Sequence, residues 1–136
     1  IFGGGEEEKR IAEEWAQHYP TVTSVIGRGR MEDELGALSR MDVVLSMDSA
    51  NMHLASIAGV PVVSIWGATH PYAGFAGWGQ KPSTFVQTDI ECRPCSVYGN
   101  KPCFRGDYAC LTRINPDTVA EEIESAIETR KLNDTR

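Results

Sequence analysis

The stretch from Val43 to Thr69, VVLSMDSANMHLASIAGVPVVSIWGAT, reads as strand, tight polar turn, helix, glycine stop and second strand. Val43 to Met47 is an apolar run of strand length, rich in β-branched residues. Asp48, Ser49, Ala50 and Asn51 are small or polar, and three of them can cap a helix. Met52 to Ala58 has the length of a short helix, which Gly59 ends and Pro61 keeps from continuing. Val62 to Trp66 is a second buried strand. Two apolar strands joined through a short helix pair in parallel by a right-handed crossover. Ligands of open α/β sheets sit at the carboxyl ends of such strands, beside helix N-termini. Asp48, Ser49, Asn51 and His53 fall at that position, which points to an anionic ligand, a phosphate or diphosphate.

Outward from this unit the alternation continues. Ile1 and Phe2 read as the end of a buried strand, and Gly3, Gly4 and Gly5 as a permissive turn. Glu6 to Tyr19 has helical spacing, with Ile11, Trp15 and Tyr19 on one stripe and Ala12 and Ala16 beside it. Glu6, Glu7 and Glu8 occupy its first turn, where the helix dipole favours negative charge. Capping is one reading of these glutamates and a sugar-hydroxyl acceptor the other. Pro20 closes the helix, and Thr21 to Ile26 reads as a strand. After the basic loop Arg28 to Arg30, Glu32 to Arg40 reads as a helix. The long loop Gly67 to Pro82 carries Tyr72, Phe75 and Trp78, and loops of that length in a compact domain are usually functional. Thr84 to Thr88 is a further strand, and Glu91 to Leu111 is an irregular insert that holds the cysteines. Pro116 opens a final helix with Val119, Ile123 and Ile127 on one stripe, and Lys131 to Arg136 reads as frayed. The class is α/β, a Rossmann-like parallel sheet with flanking helices.

The 136 residues give room for one domain with a modest core. The net charge of -6 comes from scattered acids, and the absence of a basic patch argues against nucleic acid as partner. No apolar run approaches the ~20 residues of a membrane span, and no signal peptide is visible. Ile1 stands directly at a strand end, so the chain is read as a piece of a longer protein that holds half of an active site.

Chemistry concentrates at a few places. A helix cap needs one of Asp48, Ser49 and Asn51, which leaves two for other work. The Ser49 hydroxyl and nearby backbone N–H groups suit phosphate oxygens. Asp48 suits sugar hydroxyls, or orients the turn. His53, one turn into the helix, pairs with a diphosphate when protonated and donates one hydrogen bond when neutral. Thr69 and His70, after the second strand, either face the same pocket or only form a turn before Pro71. Cys92, Cys95, Cys103 and Cys110 have a spacing that suits a structural zinc, with reduced thiols and disulfides as the alternatives. Arg93, Lys101 and Arg105 make the insert basic, as a solvated face or one turned to an anionic acceptor.

Ser46 to Ala55, Gly59 to Val63 and Trp66 to Pro71 together resemble glycosyltransferase family 9, which contains the ADP-heptose:lipopolysaccharide heptosyltransferases. Order and spacing match the family's Asp-Ser/Thr-Gly-x-x-His-Leu-Ala, Gly-x-Pro and Gly-x-Thr-x-Pro pattern, except that Ala50 stands where the family commonly has glycine. The resemblance covers nearly the whole chain. It implies the C-terminal half of a GT-B glycosyltransferase, with residues 1–136 forming one nucleotide-sugar-binding domain interrupted by the cysteine insert at about 91–111. By that resemblance Asp48 contacts the donor sugar, Ser49, Ala50 and His53 the diphosphate, Glu7 the ribose, and the Arg28 to Met31 loop lies near the adenine. Thr69 belongs to the same site. The general base is an aspartate of an N-terminal domain, so this piece alone is expected to bind donor weakly and to be inactive. The implied donor is an ADP-sugar and the acceptor a lipopolysaccharide core. No cofactor is required for the chemistry. The implied location is cytoplasmic, at the inner face of the inner membrane, with peripheral membrane contact. Two other readings stand beside it: a GT-B transferase or epimerase using another nucleotide sugar, and a non-catalytic, metal-stabilised α/β interaction module.

Overall fold

The computed structural model describes residues 1–134. In chain order its elements are α1 (Glu6–His18), α2 (Met31–Leu38), β1 (Val44–Met47), α3 (Ala50–Ile57), β2 (Val62–Trp66), β3 (Phe85–Gln87), α4 (Ala109–Thr112) and α5 (Pro116–Asp134). Single 3-10 turns lie at Pro71–Ala73 and Pro82–Thr84. The three strands form one parallel sheet in the order β1-β2-β3. Val44 is level with Val62 and Met47 with Ile65, while Ser64 is level with Phe85 and Trp66 with Gln87. All three carboxyl ends therefore share one edge. With helices flanking this sheet, the class is the expected α/β, Rossmann-like one.

Alternation along β2 divides the core between two faces. Val62 and Trp66 turn to Leu38, Val44, Met52, Ala55 and Val60, with Phe2, Phe75 and Phe85 packed around them. Val63 turns the other way, to Val86 and Val119, with Ile65, Ile114 and Ile123 beside it. Trp66 is fully buried and satisfies its indole N–H on Ser64 Oγ at 2.9 Å. Phe85 meets the Trp66 ring edge-on at 5.8 Å.

The crossover from β2 to β3 contains no α-helix, although parallel strands usually need one. Phe75 and Ala76 plug the core instead. Gly77 lies so close to α3 that a Cβ there would stand 2.2 Å from Ser56 Oγ. Gln80 Nε2 donates to the same Ser56 Oγ at 3.0 Å, and Ser56 in turn donates to the Met52 carbonyl.

Several expectations need correction. Ile1–Phe2 and 21–26 contain no strand, and Thr21 and Ile26 lie in turns. The Ile1 amine donates to Thr23 O and Val25 N–H donates to Ile1 O, which is too short a ladder to make a strand of either. The α1 stripe is not a core face: Trp15 is 53% and Tyr19 60% exposed, and Ala12 is the residue that is buried. Helix α3 starts at Ala50 and not at Met52. Helix α5 continues through Lys131 to Asp134 instead of fraying, and the rest of the expected frayed end, 135–136, lies outside the described residues. Arg130 on α5 donates to the Met41 carbonyl, which ties the helix to the segment entering β1. Among the described residues no helix is long and apolar enough to cross a membrane.

Candidate functional site

The parallel register delivers three turns to one edge of the sheet: Asp48 to Ala50 after β1, Gly67 to Thr69 after β2, and Thr88 onward after β3. Ser49 is the N-cap residue of α3, with extended backbone, but its side chain makes no cap hydrogen bond. Its Oγ lies 3.0 Å from Ser46 Oγ instead. Simple capping therefore does not account for this serine, and the first N–H groups of α3 are left without its oxygen. Asp48 and Ser49 are half-buried, while Ala50 and His53 are exposed on the first turn of the helix. These four residues stand together on one turn and helix start. Thr69 lies in the neighbouring turn, with its side chain buried.

Glu7 stands at the start of α1, and its partner is Arg10, at 2.7 Å. That hydrogen bond holds the Glu7 carboxyl below the usual glutamate range. The capping role in this turn falls to Glu8, whose Oε2 accepts from the N–H groups of Gly4 at 2.8 Å and Gly5 at 3.2 Å. Those two bonds lower the Glu8 pKa. His70 Nδ1 accepts from Tyr72 N–H at 3.2 Å, so His70 caps the 3-10 turn, as the turn reading expects.

Arg93 is the residue that sequence reasoning misplaced. It is not solvated. Its Nε donates to Gly67 O at 2.6 Å, Nη1 to Thr88 O at 2.7 Å, and Nη2 to Thr69 O at 3.0 Å and Gln87 Oε1 at 3.1 Å. Burial lowers its pKa, yet an arginine keeps its proton. No periodicity connects position 93 to turns 24 and 26 residues away, so only the fold brings them together. Arg105, by contrast, pairs with Asp107 at 2.8 Å on the surface.

Cys92, Cys95, Cys103 and Cys110 are all free thiols. A four-thiol donor set suits zinc. Among the described residues no group of three or more Cys, His, Asp or Glu side chains is placed closely enough to hold a metal ion. Cys95 uses its backbone N–H on Ala68 O at 2.9 Å, and burial followed by the neighbouring thiols raises its pKa. Cys103 accepts backbone N–H groups, chiefly that of Tyr108, which lower its pKa.

Two hollows flank the molecule. A groove of about 780 Å³, lined among others by Ser56, Pro61, Trp78, Gln80 and Lys81, lies at the amino ends of the strands, away from the turns described above. An apolar hollow of about 390 Å³ sits between Met47, Ile65, Leu111 and Val119. Neither is lined by Asp48, Ser49, His53 or Thr69.

Residues 1–102 match glycosyltransferase family 9 (heptosyltransferase). A lipooligosaccharide heptosyltransferase 2 from Campylobacter jejuni subsp. jejuni serotype O:6 is 24% identical over 128 residues, covering 91% of this chain and 39% of the relative. Its counterpart from serotype O:2 is 24% identical over 136 residues, covering 97% and 41%. A lipopolysaccharide heptosyltransferase 1 from Pseudomonas aeruginosa is 29% identical over 94 residues, covering 61% and 26%. The chain thus spans about two fifths of the length of the first two relatives. No solved structure matches it. The family match takes in α1 through β3 and every turn at the carboxyl edge of the sheet, and the chain belongs to glycosyltransferase family 9.

Proposed function

We propose that this chain is the nucleotide-sugar-binding part of a heptosyltransferase that moves heptose from ADP-heptose to a lipopolysaccharide core, with inversion at the anomeric carbon. The observation that carries the reading is the start of α3: a polar turn at the carboxyl edge of a parallel sheet, with no side-chain cap from Ser49. The diphosphate lies against those N–H groups. The positive end of the helix and His53 offset the charge that develops as ADP leaves. Asp48 accepts from sugar hydroxyls, Glu7 from the ribose, and Thr69 borders the site from the next turn. An acceptor hydroxyl attacks the anomeric carbon and the bond to the diphosphate oxygen breaks. The proton passes to an aspartate of an N-terminal domain of the same protein. The transfer takes place at the cytoplasmic face of the inner membrane, where the acceptor core is held.

Titrating the full-length protein with ADP, UDP and GDP tests this reading. Selective ADP binding is expected. His53→Ala is expected to weaken it by about tenfold, the scale of one hydrogen bond to a charged group, and to slow transfer from ADP-heptose. Unchanged kinetics in that variant would remove His53 from the site. Ala50, which puts a methyl group where the family pattern has glycine, favours a second reading, a GT-B enzyme that uses another nucleotide sugar. Preference for UDP or GDP would select it.

A further inference from the structure

We infer that Arg93 is a positioning residue for the donor: with the cysteine insert it holds the Gly67–Thr69 turn in the shape that meets the diphosphate. This rests on the donor-binding reading of the carboxyl edge.

Three successive carbonyls, those of Gly67, Ala68 and Thr69, are all taken by the insert. Arg93 Nε holds the first, Cys95 N–H the second and Arg93 Nη2 the third, at 2.6, 2.9 and 3.0 Å. The chain bends over 67–69 as it leaves β2, and these three bonds hold the bend. The insert also presses on the side chains of this turn. A Cβ on Gly99 would stand 2.9 Å from Thr69 Cγ2, and one on Gly67 would stand 2.9 Å from Leu111 Cδ2. Arg93 extends the brace to the neighbouring turn, since Thr88 O and Gln87 Oε1 accept from the same guanidinium.

A planar fork of donors in fixed directions is what such a brace needs, and lysine has no equivalent. The oxygens that Arg93 holds are neutral, so its charge is not cancelled by a direct ion pair. That charge stands immediately behind backbone that faces the edge where an anion is proposed to bind. Arg93 therefore acts through the turn and not by touching the ligand.

The test uses the full-length enzyme, with ADP as the probe in calorimetry. Arg93→Ala is expected to raise the Kd for ADP by about tenfold or more, as loss of charge-assisted hydrogen bonds does, while the acceptor KM stays unchanged. Free guanidinium at low, non-denaturing concentration should recover most of the loss, and equal sodium chloride should not. Arg93→Lys should not recover it either. A folded Arg93→Ala with wild-type Kd overturns the inference and leaves the donor reading intact. So does a loss accompanied by a lower Tm that guanidinium does not recover, which marks a merely structural arginine. Absence of ADP binding in the wild type ends the donor reading, and this inference with it. Where the variants do not fold, amide hydrogen exchange of the wild type decides. ADP should slow exchange in 67–70 and 93–99 together, and protection confined to 67–70 overturns the brace.

Discussion

Glu7 and Glu8 are adjacent in sequence, carry the same charge and do different work. Glu8 binds two backbone N–H groups of the glycine turn ahead of α1, whereas Glu7 pairs sideways with Arg10. Both carboxyls titrate below the usual glutamate range. For Glu8 the sign follows directly. A carboxyl whose folded pKa is lowered stabilises the fold above its unfolded pKa, and that contribution is lost as pH falls through the folded value. Glu8→Gln is expected to lower the Tm at about pH 7, with the difference shrinking as pH falls through the lowered Glu8 pKa and the carboxyl takes up its proton. A Tm difference independent of pH would show that the amide fails for steric reasons instead. The first-turn position of these glutamates is legible in the sequence, because helix starts favour acids. Which of them caps is not, because it depends on the backbone of Gly3 to Gly5, and a Cβ on Gly3 would stand 2.7 Å from Glu8 Oε2.

Between β1 and β2 the elements were readable because local and tertiary signals agree. The apolar runs are long enough to be strands, Gly59 adopts the positive φ of 74° that a helix stop uses, and Pro61 prevents continuation. Where only one signal was present, the reading failed. Thr21 to Ile26 has β-rich composition, but a strand needs a neighbour along its length and this segment finds one only around Ile1. The α1 stripe has helical spacing, but nothing among the described residues covers Trp15 and Tyr19. The β2–β3 crossover gave no helical signal because it has no α-helix; its packing runs through Gly77 and Ser56. Gly77→Ala forces a Cβ against Ser56 Oγ and Gln80 Nε2. The expected cost is about 1–3 kcal/mol, the scale of an overpacked interior, read from the urea midpoint. A midpoint equal to that of the wild type would mean that the crossover yields freely and does not help to hold β3.

At the scale of the whole molecule, the described sheet ends in two strands, β1 and β3, that each pair on one side only. On β1, Leu45 and Met47 are 46% and 43% exposed. Apolar side chains on an open strand invite association. The 136-residue chain on its own is expected to self-associate with rising concentration, and Leu45→Lys to reduce this, in sedimentation velocity. Equal behaviour of the two would exonerate β1. The candidate site was legible from sequence as far as one turn and one helix start, where its residues are consecutive. Arg93, which ties the edge together, was not, because its partners lie far away along the chain and are backbone atoms, which no residue type advertises.

Besides the fully buried Trp66 the chain has two exposed indoles, Trp15 and Trp78, the latter 86% accessible. Tryptophan emission responds to the polarity around the ring, so the two surface indoles mask the third. With both replaced by phenylalanine, the fluorescence maximum of the chain would become a gauge of one place, the packing between β2, Phe85 and α3. Blue emission would mean a closed interior, and a red shift would date the moment at which water reaches it.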